Sequence, residues 1–218
     1  MPVKAIVFDG FNTLFGAPNR TPFYESVFVG KGISPSRIYP PVRDHIMSRS
    51  TGTHEEVTLE LGAHLGLVDP SHARDLLAAA NLWKQWTYTI QWLPGAVALL
   101  QWIRKHTTCR TVLMTNIITV DLDILAVTLD LWSHFDFVWA SCQQGQSKRP
   151  DALQCWQTIE EWLLPGVWPN EIMMVGDKPD DDLAVPQLRE WSVWPMEPDG
   201  SSIPAFAQHL SEMLNIEL

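Results

Sequence analysis

At 218 residues, 46% of them hydrophobic, the chain is long and apolar enough for one sizeable core plus a modest insertion, which excludes a disordered polymer. A formal charge of −10 with no basic stripe repels nucleic acid and acidic membrane surfaces, so neither is an expected partner. Met1 runs straight into strand residues without the charged, apolar and small-residue succession of a signal peptide. No apolar stretch approaches membrane-spanning length either, and a cytoplasmic protein is expected.

The first predicted strand is the apolar run Ala5-Ile6-Val7-Phe8, and Asp9 stands where it ends and a tight loop begins, in Asp9-Gly10-Phe11-Asn12-Thr13-Leu14-Phe15. After Gly16-Ala17-Pro18 follow some seventy-five residues without a good β pattern. Val57, Leu61 and Leu65 repeat every four residues, and Ala73, Leu76, Leu77, Ala80 and Trp83 mark a second amphipathic helix, with Ser71 as its expected cap. A helical insertion over 16–93 within a core of 1–15 and 94–218 is the reading. From Pro94 the alternation is regular: helix 96–106, strand 110–115, helix 119–131, strand 135–140, helix 150–163, strand 171–175, a short helix 181–189, strand 191–194 and a last helix 205–214. Such alternation predicts an α/β fold with a parallel sheet and right-handed crossovers. Cys109, Cys142 and Cys155 are odd in number, lack the spacing of a zinc or redox motif, and read as small buried thiols.

Each core strand ends in a reactive group. Asp9 closes the first, Thr115-Asn116 the second, Lys148 follows the third in Ser147-Lys148-Arg149-Pro150-Asp151, and Gly176-Asp177 closes the fourth, before Lys178-Pro179-Asp180-Asp181-Asp182. A nucleophilic carboxylate, a hydroxyl donor, a lysine and an acidic pair make a set suited to handling a phosphoryl group with a metal ion. Taken singly, each has a structural alternative. The acidic run complements a helix start, Lys148 competes with Arg149 beside it, and Thr115 is a β-branched strand residue.

With these motifs, and with Leu93-Pro94-Gly95 leading back into a helix, the chain resembles the haloacid dehalogenase superfamily over nearly its whole length. The resemblance implies a Rossmann-like parallel-sheet core with an inserted α-helical cap, and a Mg²⁺-dependent phosphatase acting on a small phosphorylated metabolite. Asp9 would attack phosphorus and form an aspartyl phosphate. Asp9, the backbone carbonyl of Phe11 and Asp177 would hold Mg²⁺, and Asp182 would hold metal-bound water or orient Lys148. The spacing Gly-Asp-x₄-Asp selects Asp182, while a spacing of four would select Asp181. Thr115 and Lys148 would stabilise the transferring group, Thr13 and Asn116 would bind around it, and Thr13 would also help hold the loop around Asp9.

One position departs from the pattern. Relatives that are phosphatases usually carry an aspartate two residues after the nucleophile as general acid and base, and here that residue is Phe11, which cannot transfer a proton. Two other readings follow: a catalytically weak relative that binds a phosphorylated ligand or a protein partner, and a metal-independent 2-haloacid dehalogenase, whose branch shares Asp-x-aromatic-x-Thr-Leu. Trp83, Trp86 and Trp92 are expected to pack between cap helices or line the cleft. Arg20, Arg37, Arg43 and Arg49 are candidates to anchor an anionic substrate, and His45, His54, His64 and His72 show no ligand spacing. The sequence assigns neither the substrate nor an oligomeric state.

Overall fold

A computed structural model describes residues 3–18, 28–30, 32–49, 51–149 and 151–217; Arg20 and Pro150, and the side chain of Arg49, lie outside the described residues. A five-stranded parallel sheet forms the centre, in the order β5-β4-β1-β6-β7. The strands are β1 (Ala5–Asp9), β4 (Arg110–Thr115), β5 (Phe137–Ala140), β6 (Ile172–Gly176) and β7 (Ser192–Pro195). All five residues of β1 are buried, as a strand covered on both faces requires. Its side chains divide by period two: Ile6 and Phe8 join a layer with Leu99, Leu113, Leu122 and Phe206, whereas Ala5 and Val7 join Met114, Trp139, Trp156 and Met174 on the other face.

The register aligns the strand ends. Asp9 pairs with Met114, so Thr115 lies one residue further on; Phe8 pairs with Val175, so Gly176 is level with Asp9 and Asp177 lies just beyond. Strand order also reverses across β1, with β4 on one side and β6 on the other, and a crevice opens at such a point.

Between β1 and β4 the chain makes a helical layer. Its helices include Pro35–Pro41 running on through Val42–Ile46, then His54–His64 and Ala73–Tyr88. A capping box starts His54–His64: Thr53 accepts from the Glu56 N–H, and the Glu56 carboxylate accepts from the Thr53 N–H. This layer has its own core of Phe28, Ile38, Val42, Ile46, Val57, Leu61, Leu76 and Trp83, into which Ile118 reaches from the sheet side.

Several expectations are corrected. The 16–93 stretch is not free of β structure: β2 (Phe15–Gly16) and β3 (Gln91–Trp92) pair antiparallel where the chain leaves and re-enters the core. Ser71 is not the cap; Asp69 accepts its N–H at 2.7 Å and opens the turn Pro70–His72 ahead of Ala73–Tyr88. That helix buries Leu76, Ala79, Ala80, Trp83 and Thr87 and leaves Ala73 and Leu77 exposed. The helix expected at 150–163 starts at Leu153, which is exposed, and buries Cys155, Trp156 and Ile159. The helix expected at 119–131 stops at Thr128, and Asp130 in left-handed backbone starts a separate turn, Leu131–His134. The acidic run lies wholly inside a helical segment that begins at Pro179, two residues earlier than expected. Among the described residues no helix is long and apolar enough to cross a membrane.

Candidate active site

Asp9 ends the central strand, and the loop after it is held tightly. The Thr13 hydroxyl donates to Asp9 Oδ2 at 3.3 Å, the N–H groups of Leu14 and Phe15 both donate to the Gly10 carbonyl, and Asn12 takes the left-handed backbone that its short amide tolerates, φ 62°. Gly10 must be glycine here, because a Cβ would stand 2.6 Å from the Phe15 ring and 3.1 Å from Thr115 Oγ1.

Lys148 enters from the loop after β5. Its ammonium lies 2.5 Å from Asp9 Oδ1 and 2.5 Å from Asp182 Oδ1, and all three side chains are almost fully buried. Asn116 aims this lysine through its backbone: Asn116 Nδ2 donates to the Lys148 carbonyl at 2.9 Å, and the Lys148 N–H donates to Asn116 Oδ1 at 2.7 Å. Burial would lower the lysine's basicity, but Asp182 and Asp9 outweigh it and hold the ammonium above the usual lysine range.

Asp177 and Asp182 complete the cluster, with oxygens of Asp9, Asp177 and Asp182 all within 4.8 Å of one another. The Lys178 N–H donates to Asp182 Oδ2 at 2.9 Å. Gly176 makes room for this packing, since a Cβ there would lie 2.6 Å from both Cβ and Oδ2 of Asp182. Asp9 is pushed up to about 7, first by burial and then by the Asp182 charge, against the opposing pull of Lys148; Asp177 is raised by the same two causes. Three carboxylates face one bridging ammonium, an arrangement that stores repulsion unless a proton or a cation relieves it.

The donor set fits a small hard cation. All the donors are carboxylate oxygens, and Asp177 Oδ1 is buried without a hydrogen-bond partner. The Thr115 hydroxyl, also buried, has no partner either, so a donor at the end of β4 is left for a ligand. Among the described residues no other group of histidines, cysteines or carboxylates is placed to hold a metal ion. His54 instead sits 2.8 Å from Asp121, and His45 stacks on His64 with centroids 4.6 Å apart.

The structure therefore brings together Asp9, Thr115, Lys148, Asp177 and Asp182, with Asn116 in the lining of the same cavity. Thr13 is fully buried and bonded to Asp9, as a residue that holds the loop would be, and the Asn116 amide ties down the Lys148 backbone. The two acidic candidates also separate: Asp182 pairs with Lys148, whereas Asp181 accepts the Tyr39 hydroxyl at 2.8 Å and lies 4.0 Å from Arg43.

A cavity of about 110 Å³ opens beside Asp9. Its wall includes Phe11, Trp83 and Trp86, with the Phe11 and Trp86 rings stacked at 6.0 Å and 15°. Trp92 lies elsewhere, against Phe15 and His134. Neither Arg37, which is exposed, nor Arg43, paired with Asp44 at 2.8 Å, lines the cavity. Tyr39, Lys178 and Asp121 do line it and were not foreseen. Asp121, buried on the core helix Thr119–Thr128, accepts from Thr87 at 2.6 Å and from the Trp83 indole at 2.8 Å, with His54 Nε2 at 2.8 Å, all three from the inserted layer. Its only sequence signal, an acid in a first helical turn, is the common signature of a helix start.

No protein-family model and no curated protein matches the sequence. Solved structures do. A HAD family enzyme from Bacteroides thetaiotaomicron aligns over 94% of this chain and 99% of its own at a TM-score of 0.65 and 15% identity, and it has also been solved with magnesium and inorganic phosphate. The HAD-hydrolase YfnB of Bacillus subtilis, bound to magnesium, aligns over 99% and 100% at 0.62 and 16%. L-2-haloacid dehalogenase from Xanthobacter autotrophicus aligns over 89% and 77% at 0.56 and 22%. The chain has the fold of the haloacid dehalogenase-like hydrolases, an α/β parallel sheet with a helical insertion after the first strand.

Proposed function

We propose that the protein is a Mg²⁺-dependent hydrolase of a small phosphate monoester, with Asp9 as nucleophile. The observation that carries this reading is the convergence of Asp9, Asp177 and Asp182 within 4.8 Å around a buried, unpartnered carboxylate oxygen, beside the unpartnered Thr115 hydroxyl. Asp9, Asp177 and the backbone carbonyl of Phe11 would hold the ion, with Asp182 completing the acidic set. A bound Mg²⁺ would offset the negative charge that otherwise opposes a phosphate dianion.

The residues then divide the work. An Asp9 oxygen attacks phosphorus, the bond from phosphorus to the ester oxygen breaks, and an aspartyl phosphate forms; water later attacks the same phosphorus and frees Asp9. Lys148 favours the ionised form of Asp9 and neutralises charge on the transferring group, and Thr115 donates to one of its oxygens. Phe11 supplies no proton, so the departing oxygen draws its proton from water or leaves as the anion. In support, two of the structural neighbours were solved with magnesium and one of these also with inorganic phosphate. A metal-free dehalogenase has no use for three converging carboxylates, which ranks that reading lower despite the dehalogenase neighbour. A cytoplasmic setting belongs to the same proposal, and Cys109, Cys142 and Cys155 are free thiols.

The test is phosphate release from a panel of small phosphate esters with and without Mg²⁺, in wild type and Asp9→Asn. Metal-dependent release that Asp9→Asn abolishes supports the reading. No release from any ester refutes it and leaves a phospho-ligand binder, or a dehalogenase if chloride is freed from 2-chloropropionate.

A further inference from the structure

We propose that the cavity selects a single-ring aryl phosphate, a monoester whose leaving group is flat, apolar and uncharged, over esters of polyols or of hydroxy acids. This rests on the hydrolase reading for the fate of the ester, but its recognition half stands on the cavity alone.

The cavity is chemically divided. At one end are Asp9, Thr115, Lys148 and Asp182; the remaining wall is built largely from Phe11, Trp83, Trp86, Met47, Ile117 and Ile118. Phe11 and Trp86 lie nearly parallel, and Phe15 braces the Phe11 ring edge-on at 5.1 Å and 75°. Flat rings held this way favour a flat apolar partner. At about 110 Å³, the polar end included, the space is smaller than the roughly 150 Å³ cavity known to enclose benzene, which suits a single ring better than a larger aromatic system.

Most polar groups on that wall are already engaged, the buried indole N–H of Trp86 being the exception. Asp121 serves Thr87, Trp83 and His54, Asn116 serves the Lys148 backbone, and Asp181 serves Tyr39. The Lys178 ammonium stands over the Tyr39 ring, 5.6 Å from its centroid. With the Trp86 indole as the one unpartnered donor there, the further hydroxyls of a polyol laid against this wall would exchange water for unpaired burial. A second anionic group would meet two carboxylates, Asp121 and Asp181, against the single ammonium of Lys178.

Leaving-group chemistry points the same way. With Phe11 where a proton donor would stand, an ester whose oxygen leaves without protonation is favoured. A phenol, with a pKa near 10 as in tyrosine, departs as the free oxyanion far more readily than an alkoxide.

Two measurements test this. First, calorimetry of the full-length protein with Mg²⁺ compares phenylphosphonate, 2-carboxyethylphosphonate and 2,3-dihydroxypropylphosphonate, none of which can be hydrolysed. Phenylphosphonate is expected to bind at least about tenfold more tightly than either, and Trp86→Ala to reduce that ratio several-fold. Second, phenyl phosphate is expected to exceed cyclohexyl phosphate in kcat/KM, which reports the step that breaks the ester bond, by about 10²-fold or more, the scale of a missing general acid. Selective phenylphosphonate binding without turnover of any ester would refute the hydrolase reading and uphold the recognition argued here. Equal or inverted phosphonate affinities, or no binding of any, would overturn it, and so would a ratio that survives Trp86→Ala, even if every ester is hydrolysed.

Discussion

Asp121→Ala tests whether a single buried carboxylate holds the helical insertion over the site. Asp121 is 4% exposed and gathers His54, Trp83 and Thr87 within 2.6 to 2.8 Å, three groups that come from two helices of the insertion. Its removal strands buried donors, each costing about 1–3 kcal/mol, and since neighbouring losses are not additive a total near 4 kcal/mol is expected. For a chain of this size that corresponds to a fall in Tm of about 8–16 °C. Thermal and urea unfolding followed by circular dichroism measure it, with the exposed Asp123 on the same helix as control; Asp123→Ala should shift stability by no more than about 0.5 kcal/mol. A double-mutant cycle with Trp83→Phe, which deletes only the indole donor, should return a coupling of about 1–2 kcal/mol. A loss below about 1 kcal/mol for Asp121→Ala, or zero coupling to Trp83, would refute the assignment of Asp121 as the anchor.

Mg²⁺ should raise the melting temperature, by about 2.7 kcal/mol of stability at a hundredfold excess over its Kd, and Asp177→Asn should abolish that gain; differential scanning fluorimetry reads both. In metal-free protein, stability should fall as pH rises from about 4 to 7, since Asp9, raised to about 7, keeps its proton in the folded state after the unfolded chain has lost it. Asp9→Asn should flatten that slope in urea titrations across the range. Phe11→Asp should raise turnover of alkyl phosphates by about 10²-fold in steady-state assays; no gain would mean that another group already delivers the proton. Gly176→Ala, which places a methyl 2.6 Å from Asp182, should cost about 1–3 kcal/mol of stability and most of the activity by moving Asp182 off Lys148, and an unchanged variant would show that this close approach is dispensable.

Much of the fold was legible because it obeys short-range rules. The apolar runs that became β1, β4 and β6 are continuous, as strands covered on both faces must be, and the helix Ala96–His106 keeps its buried residues at helical spacing. The candidate site was legible for the same reason, because strand ends place their residues at one edge of a parallel sheet by topology alone. Contacts between distant segments were not legible. Tyr39 meets Asp181 across 142 positions and Thr87 meets Asp121 across 34, and nothing local to either residue of a pair points to the other. Asn116 shows the same limit: its position beside Thr115 placed it at the site, but not the bonds its amide makes to the backbone of a loop 32 residues away.

The three consecutive acids show how one sequence feature carries several functions. Asp180 is exposed, Asp181 turns to Tyr39 on the insertion, and Asp182 turns inward to Lys148. All three also lie in the first turn of a helical segment, so the plain reading as a helix start is correct and does not compete with the other two. Because Asp181 and Asp182 are adjacent on one rigid turn, a shift of the insertion that pulls on Tyr39 acts on the same backbone that holds Asp182 against Lys148. Around Asp121 the insertion is bound to the helix that follows Thr115, and at Asp181 it is bound beside the acidic cluster. The two anchors therefore sit on either side of Asp9, one next to the unpartnered hydroxyl and one next to the carboxylates. That placement ties the seating of the insertion to the geometry of both halves of the site.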